Sequence, residues 1–566
     1  MAIILLFGLF FYGLVKFGTE WRSEFQPQTM IDLSLRSLPN YALFSAMRAC
    51  VAYMLSFMFT LIVGYCAAKY RYAEKIIIPC LDILQSIPVL GFLPGLVLGF
   101  VALFPNTNTG LELAAIVMIF TGQVWNMTFS FYASLKSIPK ELHEATEIMG
   151  FSAWKKFIKL ELPFSSVNLA WNSLMSMAGG WFFLSVCEAF TLGDNEFRLP
   201  GLGSYMAVAM SSGDNVAMIC GVLAMIFVIV GMDIIIWRPV LAWVHKFRLE
   251  DVPGAQVSEP IMKLMFKKSY VYRMFSVLKH KIIRVWQLES GHVSIGLPKY
   301  NQSRFTKWKS FWQKLFKAGY FILLGMVLIA LGLLLKQLAQ FSLIYTQVNY
   351  QDWLDILQAA FCTLARVFIT LILSTLWAVP VGIYIGMSER RVKLAQPIVQ
   401  VLASFPAPML YPLALALFFK VGLSFDVASM FLMMLGVQWY ILFNVLAGAM
   451  RIPEELLSMT ELFQVSSLRR WSKLYIPCVF PALVTGWVTA AGGAWNASIV
   501  AEFLSYRGEV LQTKGLGALI SIAASKANFP MLVASISVMV AIVIVLNRTL
   551  WARVYRLSTT RYRMDI

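Results

Sequence analysis

Residues 144–163 read EATEIMGFSAWKKFIKLELP, and residues 458–477 read SMTELFQVSSLRRWSKLYIP. The two stretches lie 314 residues apart and share Thr, Glu, paired basic residues, Leu and a closing Pro at matching places. Working outward, the match does not stop at the ends. Gly122 and Trp125 pair with Gly436 and Trp439 at the same offset, Pro139, Glu141, Glu147 and Pro163 with Pro453, Glu455, Glu461 and Pro477, and Trp237 with Trp551. Gly179, Trp181 and Glu188 pair with Gly493, Trp495 and Glu502, and Gly201 and Gly203 with Gly515 and Gly517. Nearer the N-terminus the offset is 318: Arg48, Gly64, Pro79, Pro88 and Pro94 pair with Arg366, Gly382, Pro397, Pro406 and Pro412. Four residues have been lost from one short loop. A repeat of this length marks a tandem duplication.

Composition says what kind of unit was duplicated. Of 566 residues, 59% are hydrophobic and only 13% charged. That leaves too little polar surface to cover a soluble core. Runs such as Val216–Ile235 are long enough to cross a bilayer as helices. The chain reads as an all-α polytopic membrane protein of two tandem six-helix units, about twelve transmembrane helices. Spans are expected near 2–17, 42–67, 76–103, 112–134, 166–189 and 216–244, then near 317–340, 359–386, 394–420, 426–449, 480–505 and 530–552. The first unit is 1–244 with its core at 42–244, the second is 317–566 with its core at 359–552, and 245–316 joins them. The apolar run Ile3–Val15 lacks a basic start and a small-residue cleavage site, so it reads as a first span and not a leader.

The net charge of +18 is concentrated. Fourteen Lys/Arg face four Asp/Glu in 245–316. No nucleic-acid motif accompanies them, and the positive-inside rule explains a basic cytoplasmic linker. With both termini in the cytoplasm, the basic loops fall on one side: Lys69, Arg71 and Lys75, Arg390, Arg391 and Lys393, and Lys136 to Lys159. The loop Pro105–Gly110 on the other side has no basic residue. The seven cysteines are scattered through apolar runs and the four histidines show no ligand spacing, so no metal site is expected. No phosphate-binding loop and no catalytic constellation occurs, so neither a resident cofactor nor enzymatic activity is expected.

Trp154, Phe157 and Ile158 form one apolar face of a short cytoplasmic helix, and Gly150 is placed to end the helix before it. The residues alone allow docking into a partner's groove or lying on anionic lipid. The stretch resembles the EAA loop of ABC importer permeases, the binding-protein-dependent transport inner-membrane component family. Glu144, Ala145, Gly150, Leu162 and Pro163 match that pattern, while Thr146 and Leu160 occupy an alanine and an isoleucine place. In the second copy Glu461 and Pro477 persist, but Ser458 replaces the Glu and Gln464 the Gly. The resemblance implies transmembrane domains of the type I importer kind and a loop that couples to an ATPase. ATP and magnesium would then be held by two copies of a separate ATP-binding subunit, with an extracytoplasmic solute-binding protein delivering solute. It also implies a bacterial or archaeal cytoplasmic membrane. Ser45/Arg48, Thr363/Arg366, AGGW…CEAF from Ala178, GGAW…VAEF from Gly492 and the later Gly-Leu-Gly are similar to the nitrate, sulfonate, taurine and bicarbonate branch. A small anionic solute is the corresponding expectation. The alternative is an ion-coupled secondary carrier with six plus six parallel spans, though KYRYAEK at 69–75 lacks the Gly-Asp-Arg pattern of major-facilitator carriers.

Ionisable residues inside spans are paired or functional. Arg48, Glu188, Arg366 and Glu502 recur in both copies, and Asp233 has no evident partner. Either the arginines help an anion pass between the halves, or each pairs with the glutamate of its own half. Exchanging the charges of Arg48 and Glu188 is a test of pairing. Trp125, Trp181, Trp439 and Trp495, with Asn126, Asn172 and Asn496, are pathway candidates. Pro88, Pro94, Pro406 and Pro412 should break the third and ninth spans, making those the expected pore walls.

Overall fold

The computed structural model describes residues 12–247 and 345–561, leaving out 14, 24, 26, 194 and 346. The seventh expected span, most of the first and nearly all of the basic linker lie outside the described residues.

In the first half the elements are α1 (Leu38–Lys69), α2 (Arg71–Ser86), α3 (Leu93–Leu103), α4 (Thr109–Lys136), α5 (Lys140–Ile148) and α6 (Leu162–Cys187). A hairpin of β1 (Ala189–Leu192) and β2 (Asn195–Arg198) follows, then α7 (Leu202–Ser212) and α8 (Asn215–Val244). The second half repeats the order: α9 (Tyr350–Gly386), α10 (Glu389–Ser404), α11 (Tyr411–Lys420), α12 (Phe425–Ala449), α13 (Glu454–Leu462) and α14 (Ile476–Ala501). It ends with β3 (Phe503–Tyr506), β4 (Glu509–Gln512), α15 (Leu516–Ser525) and α16 (Phe529–Arg561).

The repeat extends to local defects. Five-residue π-helical turns at Phe157–Glu161 and Asp233–Trp237 recur at Trp471–Tyr475 and Asn547–Trp551. These four keep the 314 offset, while a fifth, Thr60–Gly64 in α1, has no counterpart in α9. Turns of this kind insert one extra residue into the helical ladder and are frequent at functional sites.

Among the described residues, seven helices are long and apolar enough to cross a membrane, or eight if one bent pair counts as a span. The seven are α1, α4, α8, α9, α12, α16 and the stretch Ser467–Ala501 that contains α14. The remaining expected spans differ for physical reasons. The ninth is bent by 87° between α10 and the apolar segment Ala407–Lys420. Pro406 precedes the 3₁₀ turn Ala407–Leu410, and Pro412 stands in the first turn of α11. The third breaks the same way: Pro88 precedes the 3₁₀ turn Val89–Phe92, and Pro94 opens α3. Each proline removes an amide donor, so the ladder restarts after it. The fifth, α6, is 26 residues long, enough for a bilayer, but Ser165, Asn168, Asn172, Ser173 and Ser176 lower its apolarity. The expected fifth and eleventh spans also run too far. Their helices stop at Cys187 and Ala501, and the next residues form β-hairpins. Among the described residues the fold is helical with two small antiparallel hairpins.

The two described halves form one compact body. Within each, a central helix packs along a partner, α4 on α6 and α12 on α14. Across the divide the broken helices interlock: α10 packs on α6 and α8, while α2 packs on α16. Outward faces keep large apolar side chains exposed, as at Ile219, Leu223 and Phe227 on α8. Such a face is stable only against lipid or protein.

Candidate functional site: a cavity between the halves, two arginine cages and two polar loops

A cavity of about 660 Å³ lies between the halves. Its wall includes Trp125, Asn126 and Asn172 from the first half and Trp439, Tyr440 and Asn496 from the second. The broken helices contribute Asp82, Gln85 and Val89 on one side and Gln400, Phe405 and Ala407 on the other. The prolines are not in the wall themselves; the residues beside their breaks are. Among the described residues, the lining holds one cation, Arg451, and one acid, Asp82. Amides, indoles and aromatic rings supply most of the remaining polarity.

Trp181 and Trp495 sit elsewhere. Both are almost fully buried and neither lines this cavity. They pack, as large aromatic residues in spans usually do. Asp233 does have partners: Gln400 of the other half donates to its Oδ1 at 2.6 Å, and Arg238 Nε donates to its Oδ2 at 2.9 Å.

The four recurring charges lie outside the cavity wall, at the hairpin ends of their helices. Arg48, Glu112 and Glu188 are all fully buried. Arg48 grips Glu112 with two parallel bonds of 2.7 and 2.6 Å, from Nε and Nη2. Its Nη1 donates to Glu188 at 2.7 Å and to the Pro200 carbonyl at 2.8 Å. Ser45 Oγ and the Gly203 N–H also donate to the Glu188 carboxylate, each at 2.7 Å. A charge in hydrocarbon is tolerable only when its hydrogen-bonding capacity is filled this completely. The Gly-Leu-Gly repeat is explained here. A Cβ on Gly201 would stand 2.3 Å from the Glu188 carboxyl, and one on Gly515 would stand 2.2 Å from Glu502.

The second cage is a looser copy. Arg366 meets Asp426 and Glu502 at 3.1 Å each, and Thr363 donates to Glu502 at 2.8 Å. Thr513 joins by bonding both Arg366 and Asp426. Asp426 is one methylene shorter than Glu112 and its side chain is 66% exposed. It does not form the paired grip, and Arg366 Nε is left without a partner among the described residues. So each arginine does pair with the glutamate of its own half, but as part of a triad. Glu112 and Asp426 were missed by sequence reasoning. The available signal was an acid at the 314 offset in the first turn of two apolar helices.

The two polar loops project from the other end of the molecule. α5 ends in a Schellman-type closure: the Gly150 N–H reaches the Glu147 carbonyl, and the Phe151 N–H reaches the Thr146 carbonyl, both at 3.0 Å. Gly150 has φ +63°, in the left-handed region that suits glycine. Gln464 occupies the same place with φ +48°, and the same two bonds recur from Gln464 to Glu461 and from Val465 to Thr460. The turn is conserved where the glycine is not. Arg470 braces it, donating to the Val465 carbonyl at 2.9 Å and the Thr460 carbonyl at 3.3 Å. Both tips hold out a bare apolar pair: Ile148 and Met149 in one, Leu462 and Phe463 in the other. Glu144 and Glu461 are exposed, Ala145 is partly buried, and Leu162 and Pro163 open α6 as Pro477 opens α14. The first loop is tied to the body by Lys69–Glu161 at 3.1 Å. Phe157 packs on Tyr65, while Trp154 stays 70% exposed.

Two apolar halves, a cavity between them and a repeated loop turn are the geometry on which comparison bears. The family of binding-protein-dependent transport system inner membrane components matches residues 56–236 and again 378–563. The chain belongs to that family. It carries the permease unit twice, in one polypeptide. Among curated relatives, it is 28% identical over 143 residues to the nitrate import permease protein of Leptolyngbya laminosa, covering 25% of this chain and 50% of that one. It is 23% identical over 196 residues to the taurine transport system permease protein of Escherichia coli, covering 35% and 68%. The bicarbonate transport system permease protein of Synechocystis is 29% identical over 133 residues, covering 23% and 46%. The chain thus spans about half the length of the nitrate permease it matches. These relatives are named as permease proteins of import or transport systems, and the chain is a multi-pass membrane protein of the same family.

Proposed function

We propose that this permease forms the translocation pathway of an importer for a small anionic solute, running between its two halves. The observation that carries the reading is the 660 Å³ cavity, walled by equivalent residues of both copies such as Trp125 and Trp439. Broken helices contribute to that wall, and broken helices beside a cavity are where freed backbone groups find partners. Both units have six spans in this reading, with the loops and both chain termini on the cytoplasmic side of a bacterial or archaeal membrane. An anionic solute is supported by the relatives whose names specify nitrate and bicarbonate, and an anionic group by the one that specifies taurine, a sulfonate. With Arg48 and Arg366 locked in cages, the anion is met by neutral amide and indole donors, and by Arg451 near the loop end of α12.

The energy comes from two ATP-binding subunits, one seated on each loop. The bare pairs Ile148/Met149 and Leu462/Phe463 support this, since exposed apolar tips on a rigid turn suit a cleft. The second loop has the same closed turn as the first, so the loss of its Glu and Gly leaves the docking shape intact. An extracytoplasmic binding protein supplies the solute at the hairpin end.

The test is co-purification from native membranes, followed by ATPase assay. An ATP-binding subunit that is lost when Glu144 and Gly150 are replaced supports the assignment. Uptake by the isolated chain under an ion gradient, with no ATPase, overturns it in favour of a secondary carrier.

A further inference from the structure

The cavity wall stops short of the hairpin end. Its lining begins at Thr121 of α4 and at Gly436 of α12, and reaches only to Phe183 of α6 and Ala497 of α14. The remaining turns of these helices, towards the hairpins, contribute nothing to the wall. At that end two main-chain hydrogen bonds cross between the halves. The Gly193 N–H donates to the Ala524 carbonyl at 3.1 Å, and the Arg507 N–H donates to the Met210 carbonyl at 3.0 Å. Residues 193 and 507 are equivalent, and so are 210 and 524. One bond is therefore made twice. The tip of each hairpin reaches the last turn of the short helix in the other half, α15 or α7.

The side contacts repeat in the same way. Gly193 and Arg507 both have left-handed backbones, at φ +60° and +53°. So do the residues that end the receiving helices, Ala527 at φ +49° and Gly213 at φ +71°. A Cβ on Gly193 would stand 3.4 Å from the Ala527 Cβ, and one on Gly213 would stand 3.4 Å from Arg507 Cγ. In each arm one partner is glycine and the other fills the space it leaves. Arg507 and Ala527 hold a conformation that costs an ordinary residue energy, at a contact between halves. Each hairpin is also rigidly mounted. Leu199 N–H bonds to the carbonyl of Glu188 and Thr513 N–H to that of Glu502, so both bases spring from the arginine cages. Rigid mounts with a few bonds at the tips make a contact that opens as a unit.

We infer that the two hairpins form a double clasp that shuts the cavity on the hairpin side and must release for solute to enter. This rests on the pathway proposed above. Opening breaks two main-chain bonds and separates β1 from α15 and β3 from α7, while both cages stay intact.

The separation between Gly193 and Ala527 is close to the Cβ spacing of about 3.5–4.5 Å found in disulfides. The experiment uses the full chain with its ATPase partners in proteoliposomes, supplied with the solute-binding protein and carrying Gly193→Cys with Ala527→Cys. ATP-driven uptake of labelled nitrate, taurine and bicarbonate is measured, with the disulfide verified by mass spectrometry. Uptake within twofold of the parent when reduced, a fall of tenfold or more when oxidised, and recovery with reductant are expected. Unchanged uptake by the verified disulfide form overturns the clasp. A second readout needs no transport. Asn496→Cys in the cavity wall is labelled from the hairpin side by a membrane-impermeant maleimide. Adding Gly193→Val and Gly213→Val, which wedge both arms apart, should speed labelling at least tenfold. Labelling no faster than in the parent overturns the clasp. Faster labelling with no ATP-driven uptake in any form would leave the clasp standing and sink the importer.

Discussion

The two arginine cages invite a direct comparison, because the same interaction is built well in one half and loosely in the other. Consider Glu112→Gln against Asp426→Asn. Glu112 is fully buried and grips Arg48 through two bonds of 2.7 and 2.6 Å. The amide can accept only one of them and turns its N–H₂ towards the guanidinium. Removing one partner of a buried pair costs about 3–5 kcal/mol where it leaves a charge uncompensated, and the low end applies here because Arg48 keeps Glu188. Asp426 is two-thirds exposed and holds Arg366 by one 3.1 Å contact. Exposed pairs contribute about 0.2–1 kcal/mol. The first substitution should therefore cost roughly 2 kcal/mol more, about thirtyfold in the folding equilibrium. Denaturant titration of the purified protein in bicelles, followed by tryptophan fluorescence, reads the difference. Equal losses, or a larger loss for Asp426→Asn, would refute the argument that bond pairing and burial set the strength of these cages. The same assay should show Asp426→Glu to be stabilising by about 1 kcal/mol, because the added methylene lets the carboxylate reach the unpartnered Arg366 Nε.

Other outcomes follow from the same contacts. Exchanging charges by Arg48→Glu with Glu188→Arg should not restore folding or uptake, since the new glutamate would face Glu112; full rescue in an expression and uptake assay would mean that Glu112 is not a partner. Gln464→Gly should stabilise the second loop by about 1 kcal/mol, having relieved a left-handed side chain, and hydrogen exchange across 460–466 should slow. Arg470→Ala should speed exchange over the same residues several-fold by freeing the Thr460 and Val465 carbonyls, whereas an unchanged rate would show that the brace is idle. Trp439→Ala should alter solute uptake more than Trp495→Phe does, because only Trp439 lines the cavity. Equal effects on initial rates, at matched membrane levels, would argue that the cavity is not the path.

The duplication, the apolar runs, the basic loops and the family were legible in the linear chain. Each is a statement about residues near one another in sequence, or about one pattern repeated at a constant offset. Pro88 and Pro406 announced the broken helices for the same local reason: a proline lacks its donor wherever the chain goes. Other features depended on which distant residues meet. Glu112 lies 64 residues beyond Arg48, and no periodicity links them. That Asp426 is too short to match it is a matter of one methylene and a separation in space. Trp181 and Trp495 looked like their neighbours Trp125 and Trp439, but helix rotation turned one pair into the packing and the other towards the cavity. The turn at Gln464 broke the motif's glycine requirement, yet bonds from Arg470 and the helix end keep its backbone left-handed. The hairpins that end α6 and α14 carry turn signals, Gly193-Asp194 and Arg507-Gly508, but the apolar runs before them read as continuing spans. Their tips are set by the opposite half, 331 residues away in the case of Gly193 and Ala524. The sequence by itself determined that two equivalent units are built for a membrane, because hydrophobic length and repetition are additive along the chain. Which charges are neutralised, which rings face the cavity and what closes it were decided only in the tertiary structure, where contact distance, not position in the chain, selects the partner.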